Sequence, residues 1–203
     1  MRKTIDERQI SHLIHFTQLS NLASILKHGI IPRRNAGHLD VEYNDEHRID
    51  GHTDASCCSV SFPNYKMFWK HRSNDLSVDW VVLGLSPDIL LEKKCSFYRT
   101  NAASNSIRYL SPSSLRDKTA FDSMFADIDG RPTRAEMKLR DGWTTDPQAE
   151  ILVFDCIDVG YITAIGTLSR KLAASLTSIH PGFSFQCVPS FFKYRDDYQY
   201  WQD

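Results

Sequence analysis

The chain is 203 residues long, 41% hydrophobic and 24% charged, with a formal net charge of -1. That balance excludes intrinsic disorder, and the length predicts a single domain over residues 1–203 with room for a sizeable core. A near-neutral molecule has no global field that attracts polyanions, so any grip on nucleic acid must come from a local cationic patch.

Charges in the opening MRKTIDERQISH fall where a secretory signal needs an unbroken apolar stretch. The longest apolar runs, residues 80–85 and 151–154, are far short of the roughly 18 residues that span a bilayer. Both features predict no membrane contact and a cytoplasmic location. The five cysteines (Cys57, Cys58, Cys95, Cys156, Cys187) are odd in number and form no CxxC pair, which predicts reduced thiols and neither a disulfide framework nor a zinc ribbon.

Along the chain, Leu19, Leu22, Ile25 and Leu26 recur at helical spacing and predict a helix over residues 17–29, with Thr17 or Ser20 as N-cap and Gly29 just past its end. Residues 33–54 are polar and aperiodic, which predicts a long surface loop. Its His38, His47, His52, Asp40, Asp45 and Asp50 are too irregularly spaced to predict a metal site. Residues 59–62 alternate as a short strand, followed from Pro63 by a short helix mixing aromatic and basic residues. Residues 80–85 predict a buried strand, 95–98 a weaker one and 113–125 a helix. Glycine and proline breaks among many charges make 127–147 a loop, which leads into a core strand over 150–154. Leu168, Leu172 and Leu176 mark a late helix, and residues 183–187 alternate like an edge strand. The sum is an α+β fold, a mixed sheet with short helices and long loops.

Glu150 stands out chemically, because a carboxylate opening the apolar run Ile151-Leu-Val-Phe154 is costly unless it lies at a cleft or is paired. Gln148 lies two residues earlier, which on a strand is the same face. Cations concentrate in two places: Lys66, Lys70, His71 and Arg72, and Arg131, Arg134, Lys138 and Arg140 just upstream of Glu150. His15 and Thr17 read equally well as a core histidine and a helix cap, Tyr65 and Phe68 as core aromatics, and Arg48 as a solvated loop arginine.

Four stretches occurring in order resemble the DarT family, toxins of toxin-antitoxin systems that use NAD to attach ADP-ribose to a base of single-stranded DNA. They are His12-Leu-Ile-His15-Phe16-Thr17 running into Asn21-Leu22 and Gly29; Arg48 within Glu46-His-Arg-Ile-Asp-Gly51; Ser59-Val-Ser-Phe-Pro-Asn-Tyr65 continuing through Phe68 and Trp69; and Thr144-Thr-Asp-Pro-Gln-Ala-Glu150-Ile-Leu-Val153. Arg99-Thr-Asn101-Ala102 also matches a family segment, with no chemical part assigned to it.

The resemblance implies an ADP-ribosyltransferase fold with NAD as co-substrate and no metal. His15, Phe16 and Thr17 would then contact the nicotinamide-ribose side, Arg48 the phosphates and reacting centre, and an aromatic such as Tyr65 or Phe68 the nicotinamide ring. Arg33 and Arg34 compete for the place of Arg48. Glu150 would be the catalytic carboxylate, stabilising the positively charged ribosyl species as the glycosidic bond breaks. Residues 119–150 would form the substrate loop, with Arg131, Arg134 and Arg140 on DNA phosphates, Trp143 stacking on a base and Gln148 beside Glu150. A macrodomain antitoxin is an implied partner. Thymidine-modifying members carry a histidine in this loop, whereas no histidine occurs here between His71 and His180, which leaves thymine and guanine both open as acceptor. Transfer to protein or RNA, and a non-catalytic single-strand-binding module built on residues 65–72, are the competing readings.

Overall fold

The computed structural model describes residues 1–35 and 52–202. Arg48 and the histidine-rich stretch from His38 to His47 lie outside the described residues. A short helix, α1 (Arg2–Glu7), precedes strand β1 (Leu13–Gln18), a one-turn 3₁₀ segment and helix α2 (Leu22–His28). The helix expected from residue 17 starts later because β1 claims Thr17: β1 runs antiparallel to β3 (Trp80–Leu85) over its whole length, from Leu13↔Leu85 to Gln18↔Trp80. Thr17 therefore caps nothing, and its Oγ1 accepts a hydrogen bond from Asn21 Nδ2 at 3.0 Å. Gly29 ends α2 at φ +80°, where an added Cβ would sit 2.4 Å from the Ile157 carbonyl oxygen, so both conformation and space demand glycine.

The remaining elements are β2 (Ser56–Val60), α3 (Tyr65–Asn74), α4 (Ile89–Glu92), β4 (Cys95–Tyr98), α5 (Lys118–Ser123), β5 (Glu150–Val153), β6 (Ile162–Thr167), α6 (Arg170–Ile179) and β7 (Phe185–Cys187). The helix expected over 113–125 is two pieces, because Asp117 accepts the Ala120 N–H at 2.8 Å and starts a new helix after a 3₁₀ turn at Pro112–Leu115.

One seven-stranded sheet orders the strands β4-β5-β2-β1-β3-β6-β7. All neighbours are antiparallel except β6 and β7, which makes the sheet mixed and the fold α+β. Alternation divides the side chains between faces. Leu13, Val60, Val81, Leu83, Ile151 and Val153 enter the main core with Leu22, Ile25 and Phe121, while Ile14, Val82 and Trp80 join Phe68 and Phe192 in a second cluster. β4, the weaker strand by sequence, is buried throughout.

Candidate active site

Glu150 opens β5 and is 4% exposed. A carboxylate taken out of water needs donors, and Asn101 and Ala102 supply them. Asn101 Nδ2 donates to Oε1 and the Ala102 N–H donates to Oε2, each at 3.1 Å. The Asn101 amide is itself oriented, since its Oδ1 accepts the Ala103 N–H at 2.8 Å, which turns the NH₂ side toward Glu150. The β4–β5 ladder brings these groups together: Tyr98 pairs with Glu150, and the turn that follows β4 delivers Asn101 beside the carboxylate. The sequence carried this signal in the Asn101-Ala102 match, but the pairing that gives it meaning spans 49 positions.

The sheet opens next to this carboxylate. β1 pairs with β2 at Leu13↔Val60 and Ile14↔Ser59, and the His15 imidazole then takes over where the backbone ladder stops, its Nδ1–H donating to the Cys57 carbonyl at 2.8 Å. A carbonyl only accepts, so in the neutral ring Nδ1 holds the proton and Nε2 is the acceptor. On the other side, β2 pairs with β5 from Ser56↔Val153 to Cys58↔Ile151, which puts Glu150 one step beyond that ladder. His15 and Glu150 thus flank β2 at the place where the sheet divides, about two strand spacings, roughly 10 Å of backbone, apart. His52 re-enters the described fold with its ring 6.5 Å from Tyr98 and 6.2 Å from Phe154.

The predicted NAD contacts are not all gathered there. Thr17, 2% exposed, shares the side of β1 that carries Leu13 and His15, whereas Phe16 shares that of Ile14. Phe16 stacks on Phe68 at 4.5 Å and 19°. Phe68 is 1% exposed and enclosed by Trp80 and Phe192, which corrects the expectation that its ring is open to a nicotinamide. Tyr65 is also buried, packed with Phe62 and Trp143.

The loop ahead of Glu150 is corrected likewise. Arg134, expected on phosphate, is the loop's internal staple: Nη1 donates to the Trp143 carbonyl at 2.7 Å and to Thr145 Oγ1 at 3.0 Å, and Nη2 to the Arg140 carbonyl at 3.1 Å. Trp143 is buried between Phe62, the Arg140 guanidinium at 4.7 Å and that of Arg195 at 5.3 Å, so it offers no face to a base. Arg131 donates to the Tyr200 carbonyl at 2.8 Å and lies over Trp201. Arg140 and Lys138 are exposed. Gln148 is not on a strand: Asp146 Oδ1 accepts its N–H at 2.7 Å in a turn around Pro147. A second clasp, unsuspected from the sequence, comes from the C-terminal segment. Arg195, 2% exposed, donates to the Thr144 and Thr145 carbonyls at 2.9 and 3.0 Å and pairs with Asp197 at 2.6 Å.

Arg33 and Arg34 begin a 3₁₀ turn, and the Arg34 N–H donates to the Thr53 carbonyl at 2.7 Å. No group of three or more metal-ligating side chains occurs among the described residues, and no described helix is long and apolar enough to cross a membrane. All five cysteines are free thiols, with Cys95 pushed up to about 12 by burial.

The fold is that of DarT-type proteins. It matches DarTG of Thermosipho africanus in complex with ADP-ribose at a TM-score of 0.60 and 17% identity, over 90% of this chain and 51% of that one, so the chain spans about half the length of that relative. It matches DarT of Thermus sp. 2.9 in complex with ADP-ribosylated single-stranded DNA at 0.60 and 14%, over 91% of this chain and 97% of that one. The same Thermus protein in complex with carba-NAD+ matches at 0.59 and 15%, over 91% and 99%. No curated protein matches the chain. Residues 14–194 match the sequence model of DarT, ssDNA thymidine ADP-ribosyltransferase, and the chain belongs to that family.

Proposed function

We propose that this chain transfers ADP-ribose from NAD to a thymidine base of single-stranded DNA, with Glu150 as the catalytic carboxylate. The observation that carries the reading is the carboxylate itself, buried, fixed through both oxygens by Asn101 and the Ala102 N–H, and set where the sheet divides. In the reaction the bond between the ribose C1′ and the nicotinamide nitrogen breaks, nicotinamide leaves with the bonding pair, and the ring nitrogen of thymine attacks C1′ and gives up its proton to water. Positive charge builds on the ribose as the bond breaks, and a preorganised carboxylate stabilises that state more than bound NAD.

His15 and Thr17 are proposed at the ribose and nicotinamide, with Phe16 at the margin of the site and Tyr65 supporting the loop. Arg48 is proposed at the phosphates, where a guanidinium fork gives two-point contact. Arg140 and Lys138 take over the phosphate contacts that the loop's other cations do not offer. Family membership supports NAD and DNA as substrates. The macrodomain antitoxin rests on the resemblance, and a cytoplasmic location is part of the same reading.

The test is incubation with NAD and single strands that differ in one base type. Nicotinamide release with a mass gain of one ADP-ribose on thymidine-bearing strands is expected. Gain on guanine-bearing strands alone moves the acceptor to guanine, as the missing loop histidine would have it, and gain only on protein or RNA overturns the DNA reading.

A further inference from the structure

We infer that Tyr194 and Tyr198 form a stacking platform for bases of single-stranded DNA flanking the acceptor nucleotide. The inference rests on the reading that single-stranded DNA is the substrate.

The two rings are 64% and 38% exposed and lie against each other at 4.7 Å and 31°. Large aromatic side chains left in water are usually flexible, but these stand on a fixed backbone. The side chains that alternate with them point inward and are tied down. Arg195 Nε and Nη2 donate to the two Asp197 oxygens at 2.6 and 2.7 Å, Trp201 Nε1 donates to Asp197 at 2.8 Å, and Arg195 also holds the Thr144 and Thr145 carbonyls. Exposed rings on a rigid base bind with little loss of side-chain freedom. The segment is also joined directly to the stretch that ends at Glu150, since the clasped carbonyls lie five and six residues before it. The family match ends at residue 194, so Arg195, Asp197, Tyr198 and Trp201 lie beyond it.

The surroundings fit a single strand. Tyr198 meets Tyr65, the first residue of α3, edge to face at 6.0 Å, and Arg72 of the same helix donates to the Phe192 carbonyl at 2.6 Å. Helix α3, which carries the exposed Trp69 and Lys70, therefore packs beside the segment that carries the exposed Lys193 and Tyr194. Asp196 also points outward, so the patch is aromatic before it is cationic. Recognition then comes from base faces, which a single strand presents and a duplex hides, with little phosphate contact.

The experiment is fluorescence anisotropy with a labelled single strand of about 15 nucleotides, the length one or two binding modules cover. Tyr194→Ala combined with Tyr198→Ala is expected to weaken binding about tenfold or more, while the slope of affinity against salt and the melting temperature stay as in wild type. Tyr194→Phe with Tyr198→Phe, which keeps the rings, should bind normally, and duplex affinity should not respond to any of these changes. A double alanine variant that binds the strand as well as wild type, with wild type still modifying DNA, overturns the platform alone. Equal weakening toward duplex overturns the stacking explanation. Wild type that neither binds nor modifies single strands overturns both this inference and the function beneath it.

Discussion

Asn101 Nδ2 and the Ala102 N–H both donate to the Glu150 carboxylate, and under the proposed chemistry Asn101 is a positioning residue. Asn101→Ala removes one donor to the carboxylate, so transfer should fall by about tenfold while NAD affinity changes little; kinetics at saturating NAD would check the split. Asn101→Asp should be worse than alanine, because it sets a second carboxylate against the first. Glu150 was legible in the sequence because an acid opening an apolar strand demands an explanation. Asn101 was not, because its meaning depends on β4 lying beside β5. Phe68 shows the converse limit: an aromatic in a motif looks the same on paper whether its ring is open to a ligand or, as here, stacked on Phe16 at 4.5 Å.

The loop before Glu150 is held by two arginines, Arg134 from within through the Trp143 carbonyl and Thr145 Oγ1, and Arg195 from the C-terminal segment through the Thr144 and Thr145 carbonyls, so that both meet at Thr145. Arg195→Ala leaves Asp197 buried without its partner and should lower stability by about 3–5 kcal/mol in urea unfolding. Arg134→Ala should loosen the loop and lower transfer without removing a phosphate ligand, so the salt dependence of DNA binding stays unchanged. Lys138→Ala with Arg140→Ala should instead flatten that dependence, by roughly 0.7 for each phosphate no longer neutralised. Sequence could count these cations but could not sort them, because a staple and a phosphate ligand have the same charge and differ only in what surrounds them.

Asp146 adds a pH signature to the same loop. Burial raises its pKa above the ordinary 3.8, while hydrogen bonds from Thr100 and Gln148 and the charges of Arg195 and Lys66 pull it down in part. A raised carboxyl contributes its full stability below the unfolded value and loses it as pH rises through the folded one. Asp146→Asn, which keeps the acceptor for Gln148, should therefore gain in melting temperature relative to wild type as pH rises above the ordinary carboxyl value of 3.8. A difference that stays flat or reverses as pH rises would show that Asp146 is not strained by its charge.

Across the molecule as a whole, the α+β class and most strands follow from local patterning, while the strand order does not. β2 sits between β1 and β5, partners separated from it by long stretches of chain, and it is this arrangement that sets His15 on one side of the division and Glu150 on the other. The nearly neutral net charge likewise requires any DNA contact to be local, without saying where. Everything in the proposed chemistry converges on the carboxylate at the head of β5, and the measurement that tests it is transfer of ADP-ribose from NAD to a single strand by wild type and Glu150→Gln side by side, with melting temperature and NAD affinity recorded for both. The expected result is a loss on the order of 10²-fold or more in rate with fold and NAD binding retained; a Glu150→Gln protein that transfers within twofold of wild type would contradict it.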